Sequence, residues 1–314
     1  MQSQPPSPVA LIGAASGWGA GYRQTEDGPP ALRNAGLDRR LAASGLAASW
    51  TAMVEPERRW RDRPDAPVEE VFGFVARHNA ALAESVEAAM RGGRFPVVVG
   101  GDHSIAIGTW GGVARAVDRA PLGLIWFDAH LDAHTEATTP SMNPHGMSAA
   151  VLLGHGRPEF LAVGGHAVRP ENLCYIGARS YEDGERALLE RLGVRIVGMD
   201  EVRARGLAAV VEEAVAIASW CTAGFGATID LDGFDPADAP GVGLREPDGL
   251  RRDEMLAALP RLRRQGHGQS PLRAIEIVEY IPALDVEGRT ARLVGDVIAA
   301  ALGGGAIEGR TEAA

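Results

Sequence analysis

Three side chains of the kinds that bind metal ions stand at alternate positions after a run of apolar residues. Asp128, His130 and Asp132 follow the apolar segment 122–127. Side chains in a strand alternate between its two faces, so all three are expected to point the same way. Carboxylate and imidazole donors together suit manganese, iron or zinc, whereas calcium and magnesium prefer oxygen ligands alone. The spacing predicts a transition-metal site, and the alternative is that these side chains cap the next element.

Two further apolar segments end in residues of the same kind. Asp230 and Asp232 follow the segment 225–229, and His103 lies beyond the segment 97–99 and a glycine pair. Parallel α/β sheets place their sites at the carboxyl ends of their strands, so we expect these groups to meet. Six donors exceed what one tetrahedral ion takes and suit two ions with shared carboxylates. The predicted metal ligands are His103, Asp128, His130, Asp132, Asp230 and Asp232.

The elements that must position these donors alternate between strand and helix. The predicted strands are 9–14, 48–53, the strand that ends at 103, 122–127, 173–177, 194–197, 225–230 and 272–277. Helices are predicted from 28, over 68–90, through 117, and over 185–192, 207–220, 253–264 and 290–302. This alternation is typical of a parallel sheet with right-handed crossovers. We therefore predict one α/β domain, residues 9–305, with about eight strands covered on both faces, a disordered tail at 1–8 and a C-terminal tail at 306–314.

Composition excludes several partners. The 314 residues carry a formal charge of −10, which disfavours nucleic acid and membrane surfaces as partners. All 31 basic residues are arginines, so a phosphate-binding loop with its lysine is excluded. The two cysteines, Cys174 and Cys221, lie far apart in sequence. With no apolar leader and no apolar run of ~20 residues, the sequence predicts a reduced, soluble, cytoplasmic protein.

A glycine-rich loop follows the first predicted strand. Gly17, Gly19 and Gly21 alternate with Trp18 and Ala20. A dinucleotide-binding fingerprint would need a further glycine where the chain has a tyrosine, so we reject that interpretation. The loop is expected to be a flexible part of the active site.

Three segments, in chain order, resemble the signatures of the arginase and agmatinase family of ureohydrolases, and arginases most closely. They are Gly100-Gly101-Asp102-His103-Ser104, Asp128-Ala129-His130-Leu131-Asp132 and Asp230-Leu231-Asp232-Gly233-Phe234-Asp235-Pro236. The similarity extends from about 11 to 302. It implies a three-layer α/β/α sandwich with a mostly parallel sheet, two Mn²⁺ ions per chain, and a homo-oligomer, either a trimer or a hexamer.

The same resemblance assigns roles to the ligands. It places His103, Asp128, Asp132 and Asp230 around one ion and Asp128, His130, Asp230 and Asp232 around the other, with Asp128 and Asp230 bridging. Water shared by two cations ionises near neutral pH, and its target would be a guanidinium carbon, so that urea and an amine are released. Asp132, His145 and Glu279 are then the catalytic residues. His145 would carry protons to the leaving amine, and the Glu279 carboxylate would grip the guanidinium group as a fork.

The resemblance also concerns the substrate, a small cationic guanidino compound. The stretch 138–147 is similar to arginases rather than agmatinases, which implies L-arginine, with Thr139 and Ser141 at its α-carboxylate. His134 would also contact the α-carboxylate, Glu182 would meet the α-amino group, and Glu185 would be a further substrate-binding residue, but two of these residues depart from the arginase pattern. His134 replaces an asparagine, and Glu182 replaces an aspartate. A glutamate displaces the charge by about 1.5 Å, the length of one carbon–carbon bond, and such a shift can lower a rate ~10²-fold.

Other interpretations remain open from the sequence. The run Glu246-Pro247-Asp248-Gly249 is similar to agmatinases, so Arg245 or Glu246 could reach the pocket mouth or be exposed loop charges. Agmatine, a guanidino acid or a formimino compound are therefore alternative substrates. A cysteine nucleophile, a related deacetylase with one zinc ion, and a non-catalytic paralogue are the alternatives of other classes. The complete set of six donors disfavours the last of these. Four further histidines match no motif and are expected to have surface or capping roles, namely His78, His155, His166 and His267.

Overall fold

The protein folds around one fully parallel sheet. The computed structural model describes residues 7–263 and 271–305. Its strands are β1 (Val9–Ala14), β2 (Ala48–Val54), β3 (Phe95–Gly100), β4 (Leu122–Phe127), β5 (Leu173–Ala178), β6 (Arg195–Gly198), β7 (Gly224–Asp230) and β8 (Leu272–Val278). They form an eight-stranded sheet in the order β2-β1-β3-β8-β7-β4-β5-β6. The prediction of a mostly parallel sheet of about eight strands is confirmed.

Helices cover both faces of the sheet and give the predicted three-layer α/β/α sandwich. They are α1 (Gly28–Asn34), α2 (Leu37–Ala43), α3 (Val68–Arg91), α4 (Ala106–Ala116), α5 (Ser148–Leu152), α6 (Pro158–Gly164), α7 (Asp183–Arg191), α8 (Met199–Arg205), α9 (Leu207–Ser219), α10 (Arg252–Ala258) and α11 (Arg289–Leu302). In β1, Leu11 packs in one apolar core with α9 and α11, whereas Ile12 packs in the other with α3 and α4. This alternation follows from the two-residue period of a strand.

The four central strands explain how distant segments meet. Strands β3, β8, β7 and β4 are consecutive neighbours, and all of them run in the same direction. Phe127 of β4 pairs with Ile229 of β7, and Asp230 pairs with Val278 of β8. The carboxyl ends of these strands are therefore level, which brings the residues that follow them to one edge of the sheet.

Most differences from the predicted elements concern short helices. We did not predict α2, α5, α6 and α8, which have only five to seven residues and thus too few turns for a clear helical period. The helix predicted over 253–264 ends at 258 and continues as a 3-10 helix over 259–263. Pro260 explains the change, because its ring displaces the carbonyl of the preceding turn. Residue 264 lies outside the described residues.

Several remaining expectations concern the tails and single histidines. The predicted tails fall largely on residues 1–6 and 306–314, which lie outside the described residues, as does His267. We expected a surface or capping role for His78, and this was wrong, because the residue is 4% exposed within α3. Burial lowers the pKa of His78 to about 4. None of the helices in the described part of the chain combines the length and apolarity that a membrane span requires.

Candidate metal centre and substrate pocket

The six predicted metal ligands come together at the carboxyl edge of the central strands. Five of them are buried, and the His130 side chain is 19% exposed. Asp132 has a φ of +48° and Glu279, which follows β8, a φ of +67°. A φ in the left-handed region strains residues other than glycine, and residues with such strain are concentrated at functional sites. The backbone is therefore bent at two points to aim carboxylates at one centre.

One group of donors surrounds His103. Its Nδ1 atom lies 3.2 Å from Asp128 Oδ2, 3.0 Å from Asp132 Oδ2 and 3.0 Å from Asp230 Oδ2. The backbone holds Asp230, because its Oδ1 atom accepts the Asp232 N–H at 2.9 Å. The ligand atoms of His103, Asp128 and Asp230 all lie within 4.8 Å of one another, so one cation could bind all three, with Asp132 beside them.

A second group lies beside the first and shares Asp128 with it. The Nδ1 atom of His130 lies 3.4 Å from Asp128 Oδ1 and 3.3 Å from Asp232 Oδ2. Asp128 thus turns one oxygen to His103 and the other to His130. This is the geometry expected of a carboxylate that bridges two cations, so the two groups form adjacent sites.

Hydrogen bonds fix the tautomer of His103. The Thr228 hydroxyl donates to Glu276 Oε1 at 2.8 Å, so it accepts from His103 Nε2–H at 2.9 Å. The Nδ1 atom then carries the lone pair that a metal ion needs. Thr228 and Glu276 belong to none of the sequence motifs, although a glutamate inside an apolar strand was an available signal.

Trp126 is a further supporting residue, and its role was not predicted from the sequence. Its Nε1–H donates to Asp128 Oδ2 at 2.8 Å, and its ring stacks on His103 at 4.4 Å between centroids. Both contacts orient ligands of the first group. A tryptophan in β4 looks like a core residue in the sequence, so its indole N–H gave no separate signal.

The electrostatics of this centre favour the binding of cations. Burial, followed by the charges of Asp232 and Asp128, raises the pKa of Asp230 well above its usual range. Burial also raises the pKa of Asp232 to about 6. Within residues 7–263 and 271–305, the buried His103 Nδ1 and Asp232 Oδ1 atoms have no hydrogen-bond partner. Bound divalent ions would satisfy these atoms and neutralise the carboxylates, so the residues present fit a pair of transition-metal ions.

A pocket opens onto this centre. It is lined by Ala20, Tyr22, His130, Asp132, His134, Pro140, Ser141, His145, Gly146, Glu182, Glu185, Asp230, Asp232, Leu244 and Glu279. On the wall of the pocket, His145 Nδ1 lies 3.4 Å from Glu279 Oε1, which also accepts the His103 N–H at 2.9 Å. Burial lowers the pKa of His145, but the Glu279 carboxylate outweighs it and raises that pKa to about 9.

The glycine-rich loop contributes to the same pocket. Ala20 and Tyr22 line it, and the Gly19 carbonyl accepts the His145 N–H at 3.0 Å. A Cβ atom at position 19 would collide with Asp102 and Ser104. The loop belongs to the pocket as we expected, and Gly19 is needed there for close packing.

Proteins of similar sequence identify the family of this chain. The model of the arginase family matches residues 7–303. This chain belongs to the arginase family. It is 38% identical to the arginase of Bacillus caldovelox over 288 residues, which cover 90% of this chain and 94% of that protein. Arginase from Brevibacillus brevis is also 38% identical, over 94% of this chain and 97% of its own. Enzymes of this family are hydrolases that act on carbon–nitrogen bonds in linear amidines.

Solved structures agree with the family. The crystal structure of arginase from Bacillus subtilis has a TM-score of 0.83 at 34% identity, covering 94% of this chain and 98% of that one. Entamoeba histolytica arginase in complex with L-ornithine has a TM-score of 0.84 at 25% identity, covering 96% and 100% of the two chains. The arginase fold thus extends over nearly the whole of this chain.

Of the six residues predicted to bind substrate, five line this arginase-family pocket and one does not. His134, Ser141, Glu182, Glu185 and Glu279 line the pocket. Thr139 is outside this lining, and its hydroxyl accepts the Met142 N–H at 3.0 Å. Its contact with a substrate carboxylate therefore stays a prediction.

The loop similar to agmatinases reaches the metal centre through Glu246. Its Oε1 atom lies 3.8 Å from His130 Nε2 and accepts the Ser180 hydroxyl at 3.2 Å. The Arg179 guanidinium holds this loop by donating to the carbonyls of Glu246 and Pro247. It also donates to the carbonyl of Asp232, so it links the loop to the metal centre. Arg245 instead donates to the carbonyl oxygens of Pro240 and Leu284. At 3.8 Å the Glu246 carboxylate is too far from His130 for a hydrogen bond, so it acts on the ring through its charge.

Glu246→Ala is expected to weaken the metal site that contains His130. Loss of a carboxylate that is hydrogen-bonded to a ligating histidine typically lowers metal affinity by about 10- to 100-fold, and the longer contact of 3.8 Å here should give an effect of about tenfold or less. Metal titration of the metal-free protein measures the affinity, and Asp248→Asn, a change at an exposed position of the same loop, is the control. Equal affinities in Glu246→Ala and the unchanged protein would remove Glu246 from this role.

Proposed function

We propose that this protein hydrolyses L-arginine to L-ornithine and urea with two Mn²⁺ ions. The observation that carries the proposal is the double donor group around Asp128, which opens into a pocket containing Glu279 and His145. The arginases named above support the choice of substrate, because their chains match this one over nearly their full length. When bound, the two ions supply water that is ionised near neutral pH.

The residues of this chain would then bind and orient the substrate. The Glu279 carboxylate faces the pocket and pairs with the guanidinium group, which matches a carboxylate in shape and charge. Delocalisation makes the guanidinium carbon a poor electrophile, so its alignment matters. Asp132, which also lines the pocket, accepts a hydrogen bond from the attacking water and orients it.

Proton transfer to the leaving group is the task of His145. The ring lies beside Glu279, so it is close to the guanidinium group that Glu279 holds. The departing nitrogen must gain a proton to leave as an amine, and imidazole can donate one and recover it. The His145 backbone is fixed by the Gly19 carbonyl, which keeps the ring at the pocket wall.

The amino-acid end of L-arginine would be bound by the polar residues of the outer pocket. Ser141 and His134 would contact its α-carboxylate, and Glu182 and Glu185 its α-ammonium group. Burial raises the pKa of Glu185 to about 8, and a cationic partner would favour its charged form. Glu246 lies against His130, so the loop similar to agmatinases contributes at the metal centre.

Comparison of substrates tests this proposal. The Mn²⁺-loaded protein should release urea from L-arginine with a kcat/KM at least about tenfold above those for agmatine and 4-guanidinobutyrate, because loss of either polar end removes about 1.4 kcal/mol or more of binding. N-formimino-L-glutamate is tested by release of glutamate, and metal-free protein gives the background. Higher kcat/KM for agmatine than for L-arginine would contradict the proposal.

The proposal also covers the identity of the metal, the location of the protein and its assembly. The identity of the metal as manganese is tested by metal analysis of protein purified without chelators. A cytoplasmic location is supported by Cys174 and Cys221, which are both free thiols. We also propose that residues 9–305 form one domain that assembles into a trimer or hexamer, which light scattering measures.

A further inference from the structure

A second kind of metal-ligating cluster lies on the pocket wall, outside the dinuclear centre. It comprises His134, Glu182 and Glu185, whose ligand atoms all lie within 4.8 Å of one another. The Nε2 atom of His134 is 3.1 Å from Glu182 Oε2 and 3.5 Å from Glu185 Oε2. We refer to these three residues as the outer cluster.

The Thr138 hydroxyl positions the imidazole of His134. Its oxygen lies 3.1 Å from His134 Nδ1 and accepts the Thr135 N–H at 3.0 Å. This contact turns Nε2 of the ring toward the two carboxylates of the outer cluster. A cation between these three groups would bind one nitrogen and two oxygen atoms.

The two glutamates of the outer cluster are held by the backbone. The oxygens of Glu185 accept the N–H groups of Ala133 and Glu182, both at 3.0 Å. The Glu182 side chain in turn accepts the N–H of Glu185 in a capping box at the start of α7. These bonds hold the carboxylates beside the ring before any ligand binds, which reduces the entropy lost on binding.

The spacing of the outer cluster matches a coordination shell. Ligands bound tetrahedrally at about 2.0–2.1 Å are separated from one another by about 3.3 Å. The distances of 3.1 and 3.5 Å are close to this value, and they resemble the 3.0–3.4 Å separations in the dinuclear centre. One imidazole and two carboxylates form a donor set that suits Zn²⁺. Glu182 is 61% exposed, so water can complete the shell.

We infer that the outer cluster binds a third divalent transition-metal ion, preferably Zn²⁺, at the place where the amino end of the substrate would bind. The ion and the substrate then compete, and excess metal inhibits the enzyme. The inhibitory part of this inference rests on the proposed function, whereas the binding of the ion does not.

Metal counting tests the binding directly. Protein loaded with two Mn²⁺ ions is dialysed against increasing Zn²⁺, and total manganese plus zinc per chain is measured by mass spectrometry. We expect the total to rise from two ions to three, because exchange within the dinuclear centre leaves it at two. In His134→Asn the total should stay at two, which also shows that this variant is folded. A total of two in the unchanged protein would overturn the inference.

Two further variants sharpen this test. Glu182→Gln keeps an oxygen that can cap α7 but removes a charged ligand, so it should also lose the third ion. His166→Asn changes an exposed histidine outside the pocket, at a φ of +56° that asparagine tolerates, and should retain three ions. A third ion that persists in both His134→Asn and Glu182→Gln would place the site elsewhere and overturn the inference.

Kinetics separate this inference from the proposed function. At free Zn²⁺ tenfold above the dissociation constant of the third ion, simple competition raises the apparent KM for L-arginine about 11-fold. His134→Asn at the same Zn²⁺ should lack this rise in KM, and any change in kcat shared by both proteins reports exchange within the dinuclear centre. If the protein releases urea but never binds a third ion, the inference of a third ion is wrong and the proposed function still stands. Binding of a third ion that depends on His134, without hydrolysis of L-arginine, would support the outer cluster and contradict the proposed function.

Discussion

Asp230→Asn is expected to abolish activity and metal binding together. The Asp230 carboxylate is 3% exposed and lies 3.0 Å from His103 Nδ1, where we propose that it bridges the two ions. Asparagine has nearly the same shape but no charge, so one shared ligand of both ions is lost. Without bound ions the attacking water is no longer ionised near neutral pH, and turnover should fall on the order of 10⁴-fold or more. Urea assays and metal analysis of the same preparation measure both effects.

Stability distinguishes this result from misfolding. Burial and neighbouring carboxylates raise the pKa of Asp230, so its charge destabilises the metal-free fold. The metal-free variant should therefore melt at the same temperature as the metal-free parent or higher. Asp235→Asn is the control, because Asp235 pairs with Arg251 and lies outside the pocket lining, and it should retain two ions. An Asp230→Asn variant that keeps both ions would contradict a bridging role.

The metal ligands were predictable because their signal is local. The alternation of Asp128, His130 and Asp132 predicts a shared direction without knowledge of the fold, since the period of a strand is fixed. That β4 and β7 are neighbours is a property of the topology, which the spacing within each segment does not contain. The carboxyl-edge rule for parallel sheets supplied this step in general form, and the order of the strands supplied the rest.

Residues that support a metal-binding side chain, without binding the metal themselves, gave weaker signals in the sequence. Thr228 and Trp126 lie inside buried strands, where an apolar environment is expected, and only their contacts with His103 and Asp128 reveal a role. Glu246 is distant in sequence from the His130 that it faces. The placement of such residues depends on tertiary packing, which one sequence does not specify. His78 is a similar case, because its burial depends on what packs against α3.

The outer pocket illustrates the same limit. The substitutions His134 and Glu182 were visible as departures from arginases, but their mutual contact was not. Both side chains are longer than the asparagine and aspartate that they replace, and they meet at 3.1 Å. The two departures therefore belong to one arrangement, so a substitution at either position is expected to affect the other.

His145→Asn is expected to lower turnover about 10²- to 10⁴-fold, the usual contribution of a general acid or base, while both metal ions remain bound. The His145 ring lies beside Glu279 and is absent from both groups of metal donors. Asparagine cannot donate and recover a proton in the working pH range, so the leaving amine departs slowly. Steady-state urea assays give kcat, and metal analysis gives the number of ions.

Chemical rescue makes the role of His145 specific. Added imidazole should restore part of the lost turnover in His145→Asn, because its protonated form can enter the pocket and donate the proton that the leaving nitrogen needs. The matched control is His155→Asn, which removes a half-buried histidine outside the pocket lining. It should leave kcat within about threefold, because a substitution away from the catalytic residues and the core has a small effect. Loss of a metal ion in His145→Asn would show instead that the histidine supports the centre. Only the combination of two retained ions, a lowered kcat and rescue by imidazole fits a side chain that moves a proton at the leaving nitrogen.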